Sequence, residues 1–247
     1  MKAIDLDNEN TWPEELSAML ESRAFQLKDE RDNDLKFAAL RWSHPFETPV
    51  TDQTIKEILR IITPLEVRAY HCTRLLKPEK ILSTGLRMLT PEMHKEILAE
   101  AIEFAKCTNV ETKLAFELLE YFQEKNYYEN REGMIWFILS KKMAKYRDCE
   151  VFFRQIGGEV TERALGGRGD AILSKLSTVG IPVLVECMLP IKNAAHFQID
   201  NLAKTFIQYS IERFVENRKF YFYCEMFVKH EVPKEAIQNI LELNSLI

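Results

Sequence analysis

The chain has 247 residues, of which 46% are hydrophobic, and its formal net charge at pH 7 is -5. This length and composition suffice for a packed core in one large domain, or in one domain with a sizeable appendage. A net negative chain has no overall attraction to nucleic acid or to an anionic membrane, so a polyanionic partner would need a local basic patch. The charge therefore disfavours a plain DNA-binding protein.

The five cysteines form an odd set without any C-x-x-C pair. Their scatter fits neither a disulfide framework nor a zinc site, and we expect no bound metal. The first residues are acidic and lack the apolar core of a signal peptide, and no run approaches the roughly 20 apolar residues of a membrane span. We therefore expect a cytoplasmic protein without a membrane partner.

Residues 1–62 are predicted to be an acidic, mainly helical lead-in that packs on the core. Thr11 with Glu14 three positions later has the pattern of a capping box and predicts a helix start. The later stretch TDQTIKEILRII carries apolar residues at helical spacing, and Pro64 ends it.

A strand and a short helix follow the lead-in. The stretch LEVRAYHCT (65–73) is predicted to be a strand, in which His71 and Thr73 point to the same face because side chains alternate along an extended backbone. The stretch KPEKILSTGL (77–86) is predicted to be a compact helix with Gly85 as its C-cap.

The middle of the chain combines helical and glycine-rich segments. Apolar residues at helical spacing predict two amphipathic helices over 90–130, which would form an insertion. GMIWFILS (133–140) is predicted to be a buried strand, followed directly by the basic stretch KKMAKYR. Six of the eight glycines lie between 157 and 180, which predicts a loop-rich region.

The last part of the chain is predicted to contain two strands and two helices. IPVLVECMLP (181–190) is bounded by prolines and reads as a strand, and residues 200–218 are predicted to be helical. KFYFYCEMFVK (219–229) has the alternation of a long aromatic strand, and VPKEAIQNILEL (232–243) is predicted to be the last helix.

Three of these segments together resemble the motifs of the ADP-ribosyltransferase family. YHCTRLLKPEKILSTGL is similar to its opening signature, a strand ending in H-x-T and then a helix of the form I-L-x-x-G-L. In the branch whose active site is histidine, tyrosine and glutamate, the second motif resembles GMIWFILSKKMAKY, with Ser140 and Tyr146 in the corresponding places and a slightly shorter spacing. FYFYCEMFVKHEVPKEAI resembles the third motif and supplies Glu225. The resemblance covers residues 67–240.

The resemblance implies an α+β fold, in which two small antiparallel sheets pack around a cleft for NAD. The catalytic domain would comprise residues 63–247, with the helical insertion at 90–130 and the lead-in helices packed on it. The substrate would be NAD, and the bond broken would be the glycosidic bond between nicotinamide and its ribose. The extra helices imply acceptor recognition or control.

The resemblance also implies roles for individual residues, with His71, Tyr146 and Glu225 as the catalytic set. Glu225 would hold the ribose 2′-hydroxyl and stabilise an oxocarbenium-like transition state. His71 would hydrogen-bond the ribose on the adenosine side, and Thr73 would support that contact. Tyr146 would stack on the nicotinamide ring. Cys72 stands where the family usually has a glycine whose backbone binds the nicotinamide amide.

Other residues are candidates for the NAD site or the acceptor site. Phe152 and Phe153 are alternatives to Tyr146 for the stacking role. Arg168, which lies between glycines, is a candidate for binding an anionic group. The basic side chains beside the second motif would meet the NAD diphosphate or a phosphate-bearing acceptor: Lys141, Lys142, Lys145 and Arg147.

Structural alternatives stay open for the same residues. A histidine in an apolar strand is commonly a core residue with satisfied hydrogen bonds, so His71 has that alternative. Glu225 has the alternative of a solvent-side charge on a half-buried strand, and surface lysines are common on solvated helix faces. Cys72 and His71 face opposite ways on a strand and so cannot form a thiol-protease pair. The glycine-rich segment lacks a phosphate-loop signature.

The leading functional hypothesis is a mono-ADP-ribosyltransferase that modifies a macromolecule: protein, RNA or DNA. Compact transferases of this kind resemble toxins of bacterial toxin-antitoxin and phage-defence systems, so an antitoxin is a further expected partner. The alternatives are an NAD glycohydrolase and a catalytically degenerate binding or regulatory module. The related fold that removes an RNA 2′-phosphate is disfavoured, because the chain lacks its arginine signatures.

Overall fold

The computed structural model describes residues 3–41, 49–125, 127–128 and 131–243. Helices and strands are both present throughout these ranges, which confirms the predicted α+β class. Residues 1–2 and 42–48 of the predicted lead-in, 126 and 129–130 of the insertion, and 244–247 of the predicted catalytic domain lie outside the described residues.

The helices are α1 (Glu14–Arg41), α2 (Pro49–Ile62), α3 (Pro78–Thr84), α4 (Pro91–Phe104), α5 (Asn109–Glu124), α6 (Arg147–Arg154), α7 (Gly158–Leu165), α8 (Asp170–Leu176) and α9 (His196–Ser210). The strands are β1 (Ala3–Ile4), β2 (Glu66–Leu75), β3 (Ile135–Ile138), β4 (Ile181–Pro190), β5 (Glu225–Val228) and β6 (Ile237–Glu242). Short 3₁₀ turns cover Glu9–Thr11, Lys141–Lys145, Ile191–Asn193 and Lys234–Ala236, and a π-helical turn covers Ile211–Val215.

The described strands form one six-stranded sheet, in place of the two small sheets that the resemblance implies. The strand order is β5-β3-β2-β4-β6, with β1 paired to β2. The pairing of β1 with β2 is parallel, whereas β6 runs antiparallel to β4. The central strands β2 and β4 are ten residues long, which gives each enough backbone for neighbours on both sides. The strand of the first motif, β2, is thus an interior strand.

The chain forms two compact units, each assembled from segments that are distant in sequence. The first unit comprises Met1–Ala69, Ile138–Lys142 and Met188–Met226. In it α1 packs against α9 and the π-helical turn, and α2 packs against α9. The ring of Trp12 makes edge contacts with Phe206 and Tyr209, at centroid distances of 5.0 and 4.9 Å. The division of the chain at residue 62 stays a prediction.

The predicted cap of the first helix is wrong. Helix α1 does begin at Glu14, but Thr11 belongs to the preceding 3₁₀ turn, which Asn8 caps through its side chain. The hydroxyl of Thr11 instead accepts a hydrogen bond from the amide of Asp5 at 2.9 Å. The Thr11 side chain therefore stabilises the local turn and does not cap α1.

The predicted long aromatic strand is shorter than its alternation indicates. Within KFYFYCEMFVK only Glu225–Val228 forms a strand. The residues before it do alternate, since Phe222 is buried whereas Tyr221 and Tyr223 are exposed. The Phe222 ring packs against Phe206 and Tyr209 of α9, at 5.8 and 5.4 Å, so the alternation reflects burial against a helix and not against a neighbouring strand.

The second unit comprises Tyr70–Phe137, Met143–Cys187 and Phe227–Ile247. The two helices predicted over 90–130 are confirmed as α4 and α5, each of which has a threonine N-cap. Their apolar faces join those of α7 and α8 in one buried core, which includes Leu98, Leu119, Val160 and Leu176. The insertion is thus packed into the second unit.

The glycine-rich region between 157 and 180 is not a run of loops, contrary to the prediction. It contains α7 and α8, and three of its glycines cap them: Gly157 and Gly169 are N-caps and Gly166 is a C-cap. Apolar side chains at helical spacing turn inward between these caps, and their burial stabilises two short helices that glycine content alone disfavours.

The predicted last helix is also wrong. Only Lys234–Ala236 form a single 3₁₀ turn, after which Ile237–Glu242 form β6. This strand pairs with β4 in an antiparallel register in which Ile240 lies opposite Val185. The free edge of a neighbouring strand offers these residues backbone partners, and this tertiary pairing overrides their local helical pattern.

A buried histidine joins three segments of the second unit. The two ring nitrogens of His94, on α4, contact the hydroxyls of Tyr128 and, at 2.7 Å, of Thr161 on α7. Gly157, which has a φ of 75°, lies against His94 and Thr161. A β-carbon at Gly157 would lie 2.3 Å from the Thr161 hydroxyl oxygen. Burial lowers the pKa of His94 from 6.5 to about 4, so the folded protein holds a neutral imidazole.

We expect the free energy of unfolding to decrease by about 3 kcal/mol as the pH falls from 6.5 to 4. In this window unfolded His94 binds a proton that the folded imidazole cannot accept, so acid favours the unfolded chain. The measurement is denaturant unfolding over this pH range for wild type and His94→Gln. The difference between the two in how steeply the unfolding free energy changes with pH is the contribution of His94. The exposed His196 provides the control His196→Gln, which should keep the wild-type slope.

An equal pH dependence in wild type and His94→Gln would contradict the assignment of this acid sensitivity to His94.

Candidate functional site

The second unit contains a cavity of about 320 Å³. Its floor is the end of β2, including His71 and Thr73, together with Trp136 of β3. Its walls are α3 and α4, and its inner end lies at the junction of α6 and α7. Ligand pockets in proteins have volumes of about 300–1,000 Å³, so this cavity is at the lower end of that range.

One face of each wall helix lines the cavity. The α3 side contributes Lys77, Lys80, Ile81 and Thr84, and the α4 side contributes Met93, Glu96, Ile97 and Glu100. Residues at spacings of three, four and seven share a helix face, so each set forms one stripe. The two stripes carry opposite charge, with lysines on α3 and glutamates on α4.

His71 lies at the floor of the cavity with a defined hydrogen-bond pattern. Its Nδ1 is 2.9 Å from the backbone carbonyl oxygen of Trp136, and because a carbonyl only accepts, Nδ1 carries the proton. Burial lowers the pKa of His71, an effect that the hydrogen bond to Trp136 only partly offsets. The neutral ring therefore has Nε2 as an unprotonated acceptor, which suits a hydroxyl group of a ligand.

The residues that follow His71 also belong to the cavity. Cys72 is buried and Thr73 is half-buried, and both contribute to the lining. The next residue, Arg74, donates from Nε to the carbonyl oxygen of Val179 at 2.7 Å and from Nη1 to that of Phe153 at 2.8 Å. Arg74 thus positions β2 against two neighbouring segments.

The structure separates the aromatic and arginine candidates. Phe152 is half-buried and lines the cavity, whereas Phe153 is buried elsewhere in the second unit. Tyr146 is 44% exposed at the start of α6, and Arg168 is exposed in the turn between α7 and α8. Of these four predicted residues, only Phe152 is part of the cavity wall described for the second unit.

Glu225 and the second-motif serine have different surroundings. Glu225 is the exposed first residue of β5 and belongs to the first unit. Ser140 is buried, and its hydroxyl donates to the carboxylate of Asp7 at 2.8 Å. The other oxygen of Asp7 accepts from the amide of Lys141 at 2.7 Å, and Lys142 forms an ion pair with the same carboxylate at 3.2 Å. Part of the basic stretch is therefore anchored to Asp7.

The first and third motifs meet through their backbones in the second unit. Leu86 and Val232 exchange two hydrogen bonds of 2.9 Å as an antiparallel bridge. The bridge requires Gly85 beside it, because a β-carbon there would lie 2.3 Å from the Val232 carbonyl oxygen. Because Gly85 has no β-carbon, the glycine of the I-L-x-x-G-L pattern allows the backbone of the third motif to approach closely.

Sequence reasoning missed the charged group at the inner end of the cavity. The guanidinium of Arg131 lies 4.6 Å from the ring centre of Trp136 and forms a 2.7 Å ion pair with Glu159. The Trp136 indole N–H is buried and has no hydrogen-bond partner among the described residues. Arg131 and Glu159 are distant in sequence and match no motif, so their pairing has no sequence signal.

Comparisons with protein-family models, with curated proteins and with solved structures find no match to this chain. Within the described ranges, no helix is both long and apolar enough to cross a membrane. The same ranges contain no group of three or more His, Cys, Asp or Glu side chains placed to hold a metal ion. All five cysteines are free thiols.

Proposed function

We propose that this protein is a mono-ADP-ribosyltransferase of the histidine, tyrosine and glutamate type, which transfers ADP-ribose from NAD to a macromolecule. The observation that carries the proposal is His71, which lines the cavity as a neutral imidazole with Nδ1 protonated and Nε2 as an acceptor. The helix of the I-L-x-x-G-L pattern forms one wall of that cavity. A ribose, with its vicinal hydroxyl donors, is a suitable partner for such an acceptor.

The size of the cavity supports binding of part of NAD. A volume of about 320 Å³ suits the adenosine side of the dinucleotide, with the rest extending out of the cavity. Phe152 and Trp136 provide flat apolar surface for a base, and His71 provides the hydroxyl acceptor. Cys72 and Thr73 follow His71 on the same strand and line the same cavity.

Glu225 and Tyr146 are the proposed catalytic partners of His71. Both side chains are exposed and so are accessible to a ligand. Glu225 starts a strand, which restrains its backbone, and a carboxylate is the group that stabilises positive charge developing on a ribose ring. In the reaction the glycosidic bond breaks, nicotinamide leaves with the bonding electron pair, and an acceptor group bonds to the ribose carbon and loses its proton.

The acceptor is proposed to be a protein, an RNA or a DNA molecule. The protein is proposed to act in the cytoplasm as a toxin or defence effector that has a cognate antitoxin. The net charge of -5 favours a protein acceptor. Lys145 and Arg147 are exposed beside the second motif and favour a phosphate-bearing acceptor. The experiment below distinguishes these acceptor classes.

The purified protein is expected to release nicotinamide from NAD and to leave labelled ADP-ribose on one class of macromolecule. The measurement uses NAD labelled in the adenylate moiety, incubated with separate protein, RNA and DNA fractions of a cell extract. Label retained on one fraction after washing identifies the acceptor class.

Nicotinamide release with free ADP-ribose as the sole labelled product would identify an NAD glycohydrolase instead. Absence of both release and NAD binding in every mixture would overturn the enzyme assignment and favour a binding module.

A further inference from the structure

The charged side chains of the cavity are nearly all compensated. The cationic lining residues are Arg74, Lys77, Lys80, Arg87 and Arg131, and the anionic ones are Glu96, Glu100 and Glu159. A charged side chain that lines a pocket and makes no ion pair is a candidate contact for a ligand of opposite charge, because a charge-assisted hydrogen bond to the ligand needs no protein ion pair to be broken.

Four of the five cations already have partners. Arg131 pairs with Glu159 at 2.7 Å, and Arg74 donates to two backbone carbonyls. Two further ion pairs connect α3 and the segment after it with α4: Lys77 with Glu100 at 2.9 Å, and Arg87 with Glu96 at 3.4 Å. These pairs use all three carboxylates of the cavity.

Lys80 is the remaining cation. It lies on the cavity face of α3, one turn after Lys77, and its ammonium makes no hydrogen bond or ion pair within the described part of the chain. Its positive field nevertheless reaches α4: the pKa of Glu100 is lowered chiefly by Lys77 and to a smaller extent by Lys80. The ammonium of Lys80 therefore remains available to an anion at the cavity.

The rest of the α3 and α4 stripes defines what else the ligand carries. Ile81 and Ile97 lie next to the charged residues on the two stripes and make the intervening surface apolar. An anion alone would leave that surface exposed, whereas a nucleotide covers it with its base and ribose while its phosphate reaches the lysine.

We propose that Lys80 is the anion subsite of this cavity and binds a phosphate group of a nucleotide ligand. The identification of that group with the diphosphate of NAD rests on the proposed function. The subsite itself does not, since it follows from the unpaired ammonium at the cavity.

The test is calorimetric titration of the whole protein with ADP, with adenosine and with inorganic pyrophosphate. Wild type is expected to bind ADP about tenfold more tightly than adenosine, since a charge-assisted contact to phosphate adds to the contacts of the nucleoside. Lys80→Gln should weaken ADP binding about tenfold and leave adenosine binding unchanged. Lys80→Arg should retain the preference for ADP.

Lys113 provides the matched control, because it lies on α5 outside the cavity with its side chain 79% exposed. Lys113→Gln should bind ADP as wild type does. Equal affinities of wild type for ADP and adenosine, equal ADP affinities of wild type and Lys80→Gln, or no ADP binding would each overturn the proposal. ADP binding through Lys80 without any cleavage of NAD would retain the subsite and overturn the transferase assignment.

Discussion

Nicotinamide release by Glu225→Gln is expected to be roughly 10²–10³-fold slower than that by wild type. Glutamine keeps the size and hydrogen-bonding capacity of the side chain but removes the negative charge that stabilises an oxocarbenium-like transition state. Glu225 is exposed and forms no ion pair or side-chain hydrogen bond in the described part of the chain, so the substitution should leave folding intact. The measurement is the initial rate of nicotinamide release at saturating NAD.

Glu235 provides a control for the loss of charge. It is an exposed carboxylate in the 3₁₀ turn that precedes β6, and Glu235→Gln should release nicotinamide at the wild-type rate. Thermal unfolding of both variants verifies that each is folded. A folded Glu225→Gln variant with wild-type turnover would remove Glu225 from the catalytic set.

The largest expected effect on stability is that of Gly85→Ala. The glycine has a φ of 80° and a ψ of -173°, a region that is almost restricted to glycine and costs an L-residue about 1–3 kcal/mol. An added β-carbon would also lie 2.3 Å from the carbonyl oxygen of Val232, and overpacking of this kind costs about 1–3 kcal/mol. We expect a total loss of about 3 kcal/mol and a fall in Tm of roughly 6–12 °C, measured by thermal unfolding.

Gly133→Ala separates the two causes. Gly133 has a comparable φ of 66°, but an added β-carbon would have no described atom within 4 Å. This variant should therefore show the backbone cost alone, about 1 kcal/mol. If Gly85→Ala and Gly133→Ala lost similar amounts of unfolding free energy, the close approach of Val232 to Gly85 would add nothing to the cost. The contact between the two motifs would then be loose.

Local pattern was sufficient for the strand and helix around His71 and for the two helices of 90–130. The amphipathic spacing of α4 and α5 and their threonine caps predicted both helices. The alternation of β2 predicted that His71 and Thr73 share a face, and Gly85 marked the end of α3. In each case neighbouring residues in sequence determine the backbone, so the prediction needs no distant partner.

Local pattern failed where a distant segment decides the backbone. Ile237–Glu242 have a helical apolar spacing, but β4 offers them a hydrogen-bonded edge. The glycines between 157 and 180 indicate loops, but a core shared with α4 and α5 stabilises α7 and α8. Phe222 alternates as in a strand, but Phe206 and Tyr209 of α9 provide the surface that buries it.

The candidate site divides in the same way. His71, Cys72, Thr73 and Phe152 were predicted from sequence as site residues, and all four line the cavity of the second unit. Tyr146 and Arg168 belong to the second unit but not to the cavity wall described there, and no local pattern distinguishes them from Phe152. The ion pair of Arg131 with Glu159 of α7 joins segments that are distant in sequence and has no counterpart in sequence spacing.

The sequence by itself thus determined the α+β class, the strand and helix around His71 and the two helices α4 and α5. These follow from periodicity and capping, both of which act over a few residues. Only the tertiary structure decided the tautomer of His71, the compensation of each charge in the cavity and the unpaired state of Lys80. Those properties depend on distances between atoms that folding brings together from separate parts of the chain.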